Sequence, residues 1–369
     1  MSREAADRYR SQVRGCLIGG AIGDALGAPV EFWPADRILA ECGAQGVRDY
    51  LQAGTAPITD DTQMTLFTVA GLIRAGIRRD RGLGLTVAVV HAAYDQWLDT
   101  QRLPEPPPTA RDWLATQPWL YAQRAPGNTC LSALGSARRG GDRIPQYGGL
   151  ANNDSKGCGG VMRSAPFGLL PPNGAPDTWF FDAAAEAAGY THGHPTGRLA
   201  SGALASIVHE LVAGADLAQA VDTTLALLTR YDDHEETSTA LRTACDLAKE
   251  TTTPDHTVVE QLGGGWVAEE ALAIAVYAAL VRPGPNEILD ALSIAVTHSG
   301  DSDSTGAICG NILGTLHGDA ALPAELVFRV EGRGTILELA DDLVFEFTQS
   351  SRLHGDYGPM TGWTDRYSG

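Results

Sequence analysis

Two acidic clusters with interleaved hydroxyls, Thr59-Asp60-Asp61-Thr62 and Asp301-Ser302-Asp303-Ser304-Thr305, lie near opposite ends of the chain. Four aspartates with neighbouring Thr and Ser hydroxyls, and no His or Cys among them, form a hard-oxygen ligand set. It suits Mg²⁺ or Mn²⁺ better than zinc. Taken singly, each cluster also fits a helix start. Asp60 followed by Gln63 has the form of a capping box, and Asp303 or Ser304 would serve as an ordinary N-cap. Neither cap needs two consecutive or alternating acids. If the clusters met without a cation, each pair of charges ~4 Å apart would cost roughly 4 kcal/mol at an effective dielectric of 20. One or two divalent ions reverse that sign, and a pair of ions could clamp a diol or oxyanion and acidify a water.

Other residues with chemical potential are less specific. Ser155–Gly160, SKGCGG, is a run of small residues whose backbone N–H groups can approach an anion, although such a run is equally an ordinary turn. No GxxxxGK[ST] occurs in the chain, which disfavours P-loop chemistry. His192 and His194 in THGHP offer ring nitrogens, or simply end a helix before Pro195. Trp266, after Gly263-Gly264-Gly265, can stack on a substrate ring or fill the core, and Asn128 is a further cleft candidate. The six cysteines are scattered and never spaced CxxC, so they read as reduced thiols.

Helices must position these groups. Leu66, Phe67, Ala70, Ile73 and Ile77 share a face after the first cluster, and Ile308, Ile312, Leu313 and Leu316 do so after the second, with Gly318 as C-cap. Ala-rich stretches at 183–188, 199–214, 238–249, 268–281 and 336–348 also read as helix, and period-2 alternation is scarce. An all-α fold is expected. Gly15, Gly19, Gly23 and Gly27 recur every fourth residue. Each costs roughly 1 kcal/mol in a helix relative to Ala, so the stripe needs a compensating close approach. That packing would carry Asp24 and Glu31 toward a cleft.

Pro/Gly-rich segments at 103–108, 141–149, 171–177 and 283–286 read as surface connections, none long enough for a domain linker, so one domain over residues 1–369 is expected. With 44% hydrophobic and 20% charged residues the chain belongs with globular proteins. A net charge of −18, with lysine only at 156 and 249, excludes a basic patch and argues against non-specific nucleic-acid binding. Residues 1–14 lack a signal-peptide layout, and the apolar run 16–29 is short and interrupted by Asp24, so a cytoplasmic protein without a membrane anchor is expected.

GCLIGGAIGDALGAPVEF (15–32), ITDDTQM (58–64), KGCGGVMRSAP (156–166), THGHP (191–195), LGGGWVAEEALAIA (262–275) and GDSDSTGAICGNILG (300–314) occur in this order. On these segments, over a core of about 11–350, the chain resembles the ADP-ribosylglycohydrolases. That family includes the dinitrogenase-reductase-activating, ADP-ribosylarginine and ADP-ribosylserine hydrolases. The resemblance implies a compact, single-domain orthogonal helical bundle with two divalent ions, Mg²⁺ or Mn²⁺. The matching ligands are Thr59, Asp60, Asp61, Asp301, Asp303 and Ser304, the last standing where many relatives have Thr. It implies catalytic roles for Glu31, Asp60 and Asp303. Ser155, Lys156, Gly157, Cys158, Gly159, His192, Gly265 and Trp266 would contact substrate. The reaction implied is cleavage of the bond between ADP-ribose and an acceptor, on an ADP-ribosylated protein or another ADP-ribosyl conjugate, by a monomer. Two alternatives stand beside it: an inactive protein that captures ADP-ribose, and a two-metal phosphohydrolase.

Overall fold

The structure is a computed structural model that describes residues 2–139, 148–171, 178–354 and 361–367. The expected connections at 141–149 and 171–177 lie largely outside these residues; 103–108 and 283–286 are non-helical connections.

The described residues form seventeen α-helices in the order α1 (Arg3–Gly27), α2 (Ala35–Cys42), α3 (Asp60–Asp80), α4 (Ala88–Thr100), α5 (Asn128–Arg139), α6 (Ala165–Gly168), α7 (Trp179–Gly189), α8 (Pro195–Ala213) and α9 (Leu217–Leu228), followed by α10 (Glu235–Glu250), α11 (His256–Val259), α12 (Ala268–Val281), α13 (Ile288–Val296), α14 (Ser302–His317), α15 (Ala324–Arg329), α16 (Arg333–His354) and α17 (Thr361–Arg366). Extended pairing among them is confined to two isolated bridges, Ala56 with Val330 and Gly157 with Val267. The all-α expectation is met. Each Ala-rich stretch lies in a helix, namely α7, α8, α10, α12 and α16.

One helix pair organises the rest. α1 packs along α14, and this pair is flanked by α3, α16, α12 and α13. The glycine stripe makes it possible. A Cβ on Gly15, Gly19, Gly23 or Gly27 would land on the backbone carbonyl of Gly314, Gly310, Gly306 or Ser302, and the reverse holds for the three glycines of α14. With no side chains between them, the two backbones touch for three turns, which offsets the helix cost of the glycines. Arg10 and Arg14 both pair with Asp341 at 2.5 Å and tie α16 to the outer end of α1.

Helix ends differ from the sequence reading in detail. Thr59, not Asp60, is the N-cap of α3, and its hydroxyl accepts from the Asp61 N–H at 3.3 Å. Gln63 closes no capping box; its amide bonds the carbonyls of Leu120 and Ala122 instead. Asp301, not Asp303 or Ser304, caps α14, and Gly318 ends it as expected. No described helix is long and apolar enough to cross a membrane.

Candidate functional site

The close approach of α1 and α14 fixes where the carboxylates end up. Ser302 and Asp303 start α14 against Gly27, the last residue of α1. Just beyond, a tight turn brings Glu31 back, its N–H bonded to the Gly27 carbonyl at 3.0 Å. Glu31, Asp301 and Asp303 place carboxylate oxygens within 4.8 Å of one another.

The other cluster is brought in by Asp24, a wholly buried residue of α1. Its carboxylate accepts the Thr59 N–H at 3.0 Å, the Thr62 N–H at 3.1 Å and the Thr62 hydroxyl. Asp24 therefore caps α3 from outside, satisfying N–H groups that a helix start leaves free. Asp60 is anchored by its own N–H to the Arg124 carbonyl at 2.8 Å and by the Gly127 N–H at 3.3 Å. The exposed Asn128 follows directly, at the start of α5. The Asp61 Oδ1 atom is buried without a hydrogen-bond partner.

The electrostatics show that the two clusters meet. Burial, and then the charge of Asp303, raise Asp60, Asp61 and Asp301 well above the usual carboxylate range. Burial raises Asp303 itself. Glu31, half-buried, is pushed up to about 8 by burial, then by Asp303 and Asp60. Asp24 is pushed up to about 7 by burial and Asp303. No lysine or arginine among the described residues forms an ion pair with any of these six acids. A buried nest of carboxylates, one oxygen without a donor and no basic partner is a fit for hard divalent cations.

A second wall forms from the 155–160 loop and the 263–267 loop, which pair through the Gly157–Val267 bridge. The Cys158 N–H bonds the Trp266 carbonyl at 3.2 Å, and the Ala268 N–H bonds the Lys156 carbonyl at 2.8 Å. The Cys158 thiol donates to Asp301 Oδ2 at 2.8 Å, joining this wall to the acids. Gly265 sits on Asp301 and Thr305, where a Cβ would not fit. The Ser155 hydroxyl accepts from the Gly157 N–H at 3.3 Å, which preforms the loop. The Lys156 ammonium is turned to Glu236 at 2.8 Å and Glu269 at 2.5 Å, so this residue presents backbone rather than charge to the loop.

His192 is buried behind the loop with its ring against Gly157 and Gly159. Burial, with Arg163 nearby, lowers it to about 3, so the ring is neutral, and Nδ1 lies 2.8 Å from the Thr191 hydroxyl. His194 has the blander role: its Nδ1 accepts the Thr196 N–H at the start of α8. Trp266 is exposed rather than in the core.

Two roles escaped the sequence reading: that of Arg163, and the capping role of Asp24. Arg163 is fully buried, and bonds the Gly159 carbonyl at 2.9 Å and Thr191 Oγ1 at 2.7 Å while its guanidinium lies 4.3 Å from the Tyr94 ring centre. It fixes the back of the loop, and its place in KGCGGVMR was the available signal. Asp24 was legible as an acid on the glycine face, but not as the cap of a distant helix.

Comparison with known proteins identifies the family of the chain. The ADP-ribosylglycohydrolase family model matches residues 5–352. The chain is 26% identical over 338 residues to the uncharacterized protein YegU of Escherichia coli (strain K12), covering 85% of this chain and 91% of that protein. It is 23% identical over 316 residues to the ADP-ribosyl-[dinitrogen reductase] glycohydrolase of Rhodospirillum rubrum, covering 84% and 87%. A solved structure described as an ADP-ribosylglycohydrolase-related protein complex superposes with a TM-score of 0.60 at 22% identity, covering 93% of this chain and 100% of that one. The chain belongs to the ADP-ribosylglycohydrolase family.

Proposed function

We propose that the protein is a divalent-cation-dependent hydrolase that cleaves the glycosidic bond between ADP-ribose and a modified acceptor, releasing ADP-ribose. The observation that carries this reading is the meeting of Glu31, Asp301 and Asp303 beside Asp60 and Asp61 with no ion-paired lysine or arginine among the described residues. Thr59, Asp60, Asp61, Asp301, Asp303 and Ser304 would hold two ions, Mg²⁺ or Mn²⁺. Bound there, the ions supply Lewis acidity to the distal-ribose hydroxyls and to a water.

The chain's own residues do the rest. Burial, and then Asp303 and Asp60 beside it, raise Glu31 and favour its protonated form, and it delivers that proton to the departing acceptor atom. The carboxylates around it favour the positive charge that builds on the sugar ring as the bond stretches toward an oxocarbenium-like state. The Ser155–Gly159 loop cradles the diphosphate. The N–H groups of Ser155, Gly157 and Cys158 hold its shape through Asn153, the Ser155 hydroxyl and the Trp266 carbonyl. Those of Lys156 and Gly159 serve the ligand, and neutral His192 supports them. Gly265 leaves room for the ribose, and Trp266 contacts the substrate at the rim. On this reading residues 11–350 act as one domain, in a cytoplasmic monomer whose partners are ADP-ribosylated proteins or other ADP-ribosyl conjugates.

The test is incubation with Arg-, Ser- and nucleobase-linked ADP-ribose, scoring free ADP-ribose by mass spectrometry. Release should disappear with EDTA and return with Mg²⁺ or Mn²⁺. Tight ADP-ribose binding without release from any conjugate would indicate a capture protein, and phosphate release would indicate a phosphohydrolase.

A further inference from the structure

One pair of residues at the mouth of the acidic site is explained neither by burial nor by backbone preference. Phe32 directly follows Glu31, is 71% exposed and has φ +67. That left-handed conformation is rare for a bulky side chain, and strain of this kind concentrates at functional positions. An exposed ring gains little from folding, so stability does not account for Phe at this position. The ring stacks on Trp266, itself 43% exposed, with centroids 5.1 Å apart and planes 23° from parallel. The indole rests in turn on Gly264, where a Cβ would press on it, and the Gly264 carbonyl accepts the Asp301 N–H at 2.8 Å. The pair is thus joined through one residue to Glu31 and through two to the backbone of the Asp301 cap.

Resting on the glycohydrolase reading above, we propose that Phe32 and Trp266 form the platform for the acceptor, and that they select a planar, nitrogen-linked acceptor, a guanidinium or a nucleobase. The Glu31 carboxylate lies within 4.8 Å of those of Asp301 and Asp303, so the residue attached to it stands beside the reacting end of the substrate and not beside the distal adenosine. Exposed ring faces attract a flat π system by stacking and a flat cation by its charge. An aliphatic acceptor such as serine has no flat face to stack on them.

The test uses the full chain, with Phe32→Leu and Trp266→Leu to remove each ring and Phe32→Tyr and Trp266→Phe to keep one. Substrates are ADP-ribosylated agmatine, an ADP-ribosylated guanine oligonucleotide and an ADP-ribosylserine peptide, and free ADP-ribose is titrated calorimetrically. The wild type should prefer a planar conjugate, and whichever planar arm is faster identifies the source. Each Leu variant should lose about 10-fold in kcat/KM on that conjugate, chiefly through KM. For Phe32→Leu, serine-linked turnover and ADP-ribose affinity should stay within about 3-fold, and the aromatic replacements at both positions should restore the preference. Equal losses on every conjugate or a matching loss of ADP-ribose affinity in Phe32→Leu, or a wild-type preference for serine, would overturn the assignment while leaving the glycohydrolase reading intact. Absence of turnover on all three conjugates by the wild type would sink that reading and the platform with it.

Discussion

The seam between α1 and α14 and the rim formed by Phe32 and Trp266 both adjoin the same carboxylates, and they are built by opposite means. In the seam, backbone touches backbone, every atom is buried, and glycines set the spacing. At the rim, two large side chains touch each other in solvent, one of them on a strained backbone. Position in the first case is set by main-chain geometry and tolerates no added atom. In the second it is set by ring contact and can be altered without disturbing the core. The seam decides whether there is a site, and the rim decides what reaches it.

The severest test of this contrast is Gly310→Val. The new side chain would lie on the Gly19 carbonyl in a helix pair locked for three turns. A cost above about 5 kcal/mol is expected, comparable with the whole stability of a domain, read as loss of the urea unfolding transition. A stable variant would mean that the helices can separate, and the distinction between the regions would fail.

Next comes the charge that the seam forces together. The folded-state pKa values of Asp24 and Glu31, about 7 and about 8, stand above the ordinary carboxylate range. The folded chain therefore holds more protons than the unfolded one between about pH 4 and 8, so stability is greatest below that window and falls as pH rises through it. In EDTA, the loss from pH 5 to pH 8 should be roughly 2.5 kcal/mol from Asp24 alone. Saturating Mg²⁺ or Mn²⁺ should flatten the slope. A metal-free protein equally stable at both pH values would show that the acids are not crowded.

Glu31 belongs to both regions, since its turn joins the end of the seam to the rim. Glu31→Gln should slow hydrolysis by about 10²-fold or more while ADP-ribose affinity, measured calorimetrically, changes far less. The reverse split would make Glu31 a structural residue of the seam. The smallest effect is expected at Phe32→Gly, where relief of the left-handed strain offsets the lost stacking, for a net change within about 1 kcal/mol by thermal melting. A large destabilisation there would move the rim into the structural class.

Much of this was legible before any coordinates. The regular glycine spacing required a close partner, and the apolar faces after each acidic cluster required helices. What the sequence did not carry was the partner's identity. Nothing local in Gly306, Gly310 and Gly314 says that they oppose Gly23, Gly19 and Gly15, and nothing in Asp24 says that it caps a helix starting at Asp60. Those relations depend on the register of elements distant in the chain. Local chemistry also misled at the caps, where Thr59 and Asp301 took positions assigned to their neighbours. Phe32 was invisible for a different reason: its significance lies in a backbone angle and in solvent exposure, neither of which a residue type encodes.

The pairing of α1 with α14 has a consequence during synthesis. The first helix leaves the ribosome almost three hundred residues before the helix that covers its bare face. At about 5–20 residues per second, it waits on the order of tens of seconds with that face unprotected. The nascent chain cannot turn over substrate in that interval, and its first helix is then a natural client for a chaperone.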